Sequence, residues 1–117
     1  MSASIPESSS SQYYEDLSQG KQAIRNQKRP GIVFLTNPMD EDNQRVNQIL
    51  KLSQFQDLLS DMIYIKVDVD KNPKALSQYG IYKTPSMVLY DSEGLMRKRI
   101  QSISDMNYLL KEIRRLN

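Results

Sequence analysis

The side chains of this 117-residue sequence with chemistry to offer are chiefly acids. Asp40-Glu41-Asp42-Asn43 sets three carboxylates and an amide in succession, and Asp68 and Asp70 form a second acidic pair. Such a run has three uses: oxygen ligands for a divalent cation or a basic partner, a general base, or the satisfaction of free N–H groups at a helix start. A cation loop needs Asp-x-Asp-x-Asp-Gly spacing with a later Glu, and here neither the glycine nor the Glu falls in place. A general base needs a desolvated cleft, whereas a helix N-terminus favours the charged carboxylate. Capping is therefore the favoured reading for residues 40–43, and turn capping for Asp68 and Asp70. The basic triplet Arg97-Lys98-Arg99 reads better as the guard of an edge strand than as a phosphate site.

Two residue types are missing altogether. The chain has no cysteine, which removes disulfides, thiolate nucleophiles and Cys-ligated metals and leaves the redox compartment open. It also has no histidine, so zinc hydrolase chemistry and Ser/His or Cys/His triads are out of reach. The seven tyrosines offer either a sticky surface or half-buried rims with the hydroxyl in water, and the second is favoured for Tyr13, Tyr14, Tyr79, Tyr82 and Tyr108. Met39, Met62, Met87, Met96 and Met106 follow the strand and helix pattern and read as core or rim fillers, not a copper set.

The elements that must position these groups follow from periodicity. Residues 1–11 are Ser-rich with almost nothing to bury and are expected to be disordered. From Gln12, the residues Tyr13, Tyr14, Leu17 and Ile24 fall near one helical face, interrupted by Gly20, and Pro30 ends that helix. Gly31–Thr36 is an unalternating apolar run suited to a strand covered on both faces. A helix opens at Asp40, buries Val46, Ile49 and Leu50, breaks near Ser53 and resumes with Phe55, Leu58 and Leu59. The strand from Met62 to Val69 turns Ile63, Ile65 and Val67 to one face and Met62, Tyr64 and Lys66 to the other. Asn72-Pro73 starts a short helix that ends at Tyr79-Gly80. Two strands separated by a helix-length segment imply a parallel pair with a right-handed crossover. Ser86–Tyr90, a turn at 91–94 and a strand from Leu95 to Ser102 follow, the last an edge strand. A final helix from Ser104-Asp105 buries Met106, Leu109, Leu110 and Ile113. The expected architecture is a single α/β domain over residues 12–117, a four-stranded mixed sheet sandwiched by helices.

A formal net charge of +2 is too small to argue for nucleic acid or an anionic membrane. No apolar run reaches the length of a membrane span and no targeting segment is visible at the start, so the protein is expected not to span a membrane, with the cytoplasm as default compartment.

From about Ser18 onward the chain resembles the thioredoxin-like superfamily, closest to the branch in which a leading helix and a Lys-Pro or Arg-Pro step precede the first core strand. Arg29-Pro30 is that step. Where the branch carries Pro-Trp-Cys-x-x-Cys-Gln, this chain reads Pro38-Met39-Asp40-Glu41-Asp42-Asn43-Gln44. The resemblance puts Met39 at the tryptophan, Asp40 at the attacking cysteine and Asn43 at the resolving one. Thr84-Pro85 matches the family's cis-proline step, and Lys66 matches a lysine carried on the same strand. The buried acid that assists proton transfer in redox-active members would fall at Phe34. Disulfide exchange requires a thiolate, so the resemblance implies the fold without the chemistry. A serine-based glutathione transferase is disfavoured, since its helical second domain does not fit this length.

In redox-active relatives the surface near these positions grips extended peptides. The resemblance implies a cysteine-free, redox-inactive module, binding or chaperone-like, that holds an unidentified protein or extended peptide. Met39 and Tyr82 would be its apolar contacts, Asp40, Glu41, Asp42 and Asn43 its acidic side, and Thr84 and Pro85 its backbone-pairing edge. The bland alternative is a solvated groove with no occupant. Two others are a self-associating structural subunit and, less favoured, a non-redox enzyme with Asp40 or Glu41 as general base. No cofactor and no metal are implied.

Overall fold

The computed structural model describes residues 12–101 and 103–116, so the expectation of a disordered 1–11 lies outside the described residues. Five strands and five helices are present among them: β1 (Gln12–Tyr14), α1 (Leu17–Gln27), β2 (Gly31–Thr36), α2 (Glu41–Ile49), α3 (Ser53–Leu59), β3 (Ile63–Asp68), α4 (Lys74–Tyr79), β4 (Ser86–Tyr90), β5 (Met96–Ile100) and α5 (Met106–Arg114). The sheet order is β1-β3-β2-β4-β5. β3 runs parallel to both β1 and β2, while β4 is antiparallel to β2 and β5 to β4. Of the two parallel pairs, β1–β3 and β2–β3, the second is joined through α2 and α3. The strands joined through α4, β3 and β4, are not adjacent.

One expectation fails at the N-terminal end. Gln12–Tyr14 is not the start of a helix but a fifth strand, one more than the four foreseen, paired along Ile63–Ile65. Asp16 explains the boundary, because its side chain caps α1 by accepting from the Gln19 N–H at 2.9 Å and so fixes the helix start beyond the tyrosines. Tyr13 then lies over Tyr64, their ring centroids 5.8 Å apart, a cross-strand aromatic pair of the kind that stabilises sheets. The break foreseen near Ser53 is the α2–α3 junction.

Two apolar layers sandwich the sheet. Ile24, Val33, Leu35, Ile63, Ile65, Val67, Ile81 and Val88 fill the side under α1 and α4. Ile32, Phe34, Val46, Leu50, Phe55, Met62, Met87, Leu89, Leu109 and Ile113 fill the side under α2, α3 and α5. Burial on both faces is why β2 and β4 read as unbroken apolar runs. The edge strand β5 uses its cations internally: Arg97 meets Asp91 at 3.4 Å, Lys98 meets the buried Glu112 at 3.4 Å, and Arg99 donates to the Tyr79 carbonyl at the end of α4 at 2.6 Å. A phosphate-binding triplet would need these groups free.

Tyr79 departs from the half-buried rim foreseen for the tyrosines. It is buried, and its hydroxyl lies 2.7 Å from that of Tyr90. Burial, then the bond to Tyr90, raises the Tyr79 pKa above the ordinary 10.0, and burial raises Tyr90 as well. The folded state therefore favours the neutral phenols, and their stabilisation is present in full below about pH 10 and is lost as pH rises above it. Urea midpoints measured between about pH 8 and pH 11 should fall across that upper range. The double variant Tyr79→Phe/Tyr90→Phe should fall less, Tyr13 and Tyr64 leaving a residual slope because burial raises them too.

Gly20 lets α1 approach the sheet. A Cβ there would overlap Cγ1 and Cδ1 of Ile65, which is fully buried and has no room to turn. Overpacking of this kind costs about 1–3 kcal/mol, against about 1 kcal/mol gained in helix propensity. Gly20→Ala should therefore lower stability by denaturant titration, and Ile65→Ala in the same chain should relieve the overlap, giving a strongly non-additive double-mutant cycle.

Candidate functional site

The corner between β2 and α2 is built by side chains that replace backbone partners. Asn37 Oδ1 accepts the Met39 N–H at 3.1 Å, and the Asp40 N–H closes a turn onto the Asn37 carbonyl at 3.1 Å. Asp40 is the N-cap of α2, its carboxylate accepting the Asp42 N–H at 2.8 Å, and Glu41 and Asp42 occupy the first turn, where acids complement the helix dipole. Asn43 reaches back to accept the Asn37 N–H at 2.8 Å, and Gln44 Nε2 donates to the Pro38 carbonyl at 2.8 Å. The acidic run thus caps a helix.

Facing this corner is the Thr84–Pro85 step, whose peptide bond is cis. Pro85 is buried, and its carbonyl accepts the Ile103 N–H at 2.8 Å, which ties the segment before α5 to the start of β4. Among the described residues neither the N–H nor the C=O of Thr84 has a hydrogen-bond partner.

Between them lies a groove of about 260 Å³. Of the residues singled out from sequence, Asp42, Thr84 and Pro85 line it, together with Arg45, Val46, Ile49, Ile103, Ser104 and Met106. Asp42 and Arg45 form an exposed ion pair of 3.6 Å on its rim. Met39 and Tyr82 are 79% and 85% exposed and stand outside the lining. Asp40 and Glu41 are exposed, and Asn43 is fully buried. Val46, Ile49 and Met106 read as core from their helical spacing, and they pack there as well as walling the groove. Nothing in the sequence separated a core face from a groove wall, because both ask for the same apolar residues. Ile103 carries no signal, lying in the connection between a strand and a helix, and Ser104 is read only as part of a helix start, which the structure puts at the Asp105 cap.

The exposed carboxylates of Asp40 and Glu41 lack the desolvated surroundings that a general base requires. Among the described residues no three Asp or Glu side chains converge as a metal site would, and no helix is long and apolar enough to cross a membrane.

Comparison with solved structures gives the fold its name. The chain superposes on the thioredoxin of Thermus thermophilus with a TM-score of 0.76 at 18% identity, covering 91% of this chain and 86% of that one. Thioredoxin O2 of Arabidopsis thaliana, in its oxidised state, gives 0.74 at 15% identity, covering 92% and 95%. A mutant thioredoxin of Halobacterium salinarum gives 0.73 at 18% identity, covering 95% and 96%. No protein-family model matches the chain, and no curated protein matches it in sequence. The architecture is thioredoxin-like, an α/β fold without the thiols of disulfide exchange.

The capping role of Asp40 is directly testable. Asp40→Ala should destabilise the protein by about 0.5–2 kcal/mol in urea titration, as lost N-caps do, whereas Asp40→Asn and Asp40→Ser should retain most of the stability. Equal loss in all three variants would mean that the charge, not the cap, is what the position supplies.

Proposed function

We propose that this thioredoxin fold without thiols is a binding module that holds an extended protein segment in the groove between α2, the Thr84–Pro85 step and the Ile103–Met106 segment. The observation that carries this reading is the unpartnered N–H and C=O of Thr84 beside an apolar wall. Backbone groups of this kind are satisfied by water or by an added strand, and an extended segment pairing with them would place alternate side chains towards the groove.

The dimensions suit an anchor better than a free small molecule. Small-molecule pockets usually run to about 300–1,000 Å³, whereas this groove has about 260 Å³ and an open rim. Val46, Ile49, Pro85, Ile103 and Met106 offer an apolar bed for one side chain, and the Asp42–Arg45 pair offers charges of both signs at the edge. Met39 and Tyr82, exposed on the flanking loops, would extend the apolar contact along a longer segment. Without cysteine, the bound segment is held and released unchanged by thiol chemistry.

A panel of capped, extended hexapeptides with Leu, Phe or Lys at the central position provides the test, followed through the amide resonances of the labelled full chain. Apolar-centred peptides should shift the amides of Thr84, Ser86 and residues 103–106 in a saturable way. Ser104→Arg, an exposed lining position that needs no refolding of the core, should weaken binding at least tenfold. Silence at those amides across the whole panel would overturn the groove as the working surface.

A further inference from the structure

A second cleft opens beside α2 and shares no lining residue with the groove. Asn43, Gln44 and Asn47 from α2, with Thr36, Pro38 and Lys66, enclose about 210 Å³. It adjoins a hollow of about 250 Å³ that shares Thr36, Pro38 and Lys66 and continues past Val67 to Glu15 and Asp68. Asn43 and Asn47 stand one helical turn apart and so line one face, while Asp42, Arg45, Val46 and Ile49 line the groove.

Two donors at this cleft are not used up by the protein. Asn43 is fully buried, and its Oδ1 is committed to the Asn37 N–H, which fixes the amide orientation. Its Nδ2 has no hydrogen-bond partner among the described residues. Buried amide groups are rarely left this way, since they lose water and gain nothing. Lys66 is half-buried, and its Nζ donates to Asn47 Oδ1 at 3.0 Å. An ammonium has three N–H groups to give, and among the described residues no carboxylate lies within ion-pair distance of this one. The cleft therefore presents one positive charge, held in place by Asn47, and a buried N–H group in need of an acceptor.

We propose that this cleft binds the carboxylate of a small organic monoacid, Asn43 Nδ2 and Lys66 Nζ donating to its oxygens and its short chain lying in the adjoining hollow. One cation matches a monoanion, and a doubly charged phosphate would leave charge unbalanced in a partly desolvated site. Beyond Lys66, Glu15 and Asp68 line the hollow together with Lys71, two acids against one cation, and this net negative charge disfavours a second carboxylate, which selects a monoacid over a diacid. Val67 and Pro38 supply apolar surface for the chain.

Sodium butyrate is the probe, with sodium glutarate and sodium chloride at matched ionic strength for comparison, observed through the side-chain Nδ2 resonances of Asn43 in the labelled full chain. Butyrate should shift them saturably, glutarate at least tenfold more weakly and chloride not at all. Replacing Asn43 would also release the Asn37 N–H and risks unfolding the corner, so the test variant is Lys66→Met, which leaves those bonds intact and should weaken butyrate binding at least tenfold. The proposal fails if the resonances do not saturate with butyrate, or if Lys66→Met binds it equally well. It also fails if a bound water contacts Asn43 Nδ2 throughout the titration, which would make the cleft a hydration site.

Discussion

The structure around both clefts depends on the hydrogen bonds that fasten the start of α2 to the end of β2. Asn37, Asp40, Asn43 and Gln44 satisfy backbone groups that a sharp strand-to-helix corner leaves open. Each bond is worth only about 0.5–1.5 kcal/mol in net stability, but together they fix which way α2 faces. With the helix set, Asp42, Arg45, Val46 and Ile49 meet the Thr84–Pro85 step, and Asn43 and Asn47 meet Lys66. A loosened corner would disturb both surfaces at once.

The same corner explains how a thioredoxin fold stands without thiols. The positions that the resemblance assigns to the two cysteines hold a capping acid, Asp40, and a buried amide, Asn43, which stitch the corner by hydrogen bonding. The position of the family's buried acid is Phe34, fully buried in the apolar layer under α2. Lys66, on the strand beside it, is bound to an amide, Asn47, not to a carboxylate. The positions that the resemblance aligns with the thiols and the buried acid thus hold a capping acid, an amide and a phenyl ring. Each makes a contact inside this fold: Asp40 caps α2, Asn43 holds the Asn37 N–H and Phe34 fills the apolar layer.

Much of this was legible in the sequence because periodicity and punctuation agreed. The unbroken apolar runs of β2 and β4, the alternation of β3 and the Asp caps of α2 and α5 are local signals, and Pro30, Asn72-Pro73 and Gly80 mark ends that the structure keeps. The strand β1 was missed because Tyr13 and Tyr14 fit a helical face as well as a strand, and only the Asp16 cap and the open flank of β3 decide between them. The groove was half legible: Asp42, Thr84 and Pro85 came from motif positions, while Ile103 and Ser104 are brought there by the chain's return from β5 to α5. Burial of Asn43 and the internal engagement of all three cations of β5 are tertiary facts that spacing does not encode.

The thioredoxin-like fold places positions 40 and 43 at one helix start, with both thiols and the buried acid replaced. The most direct measurement of that placement is to put thiols there, as Asp40→Cys/Asn43→Cys, and titrate the pair against glutathione and its disulfide. Residues at the cap and three positions into a helix lie within the Cα span of about 4.4–6.8 Å that a disulfide accepts. The expected result is a reversible intramolecular disulfide with a defined redox midpoint, in a protein that is less stable in urea because the Asp40 cap and the Asn43–Asn37 bond are gone, but still folded in buffer. A pair that yields only mixed disulfides with glutathione, in a variant that remains folded, would contradict this placement and show that the corner has moved away from that geometry.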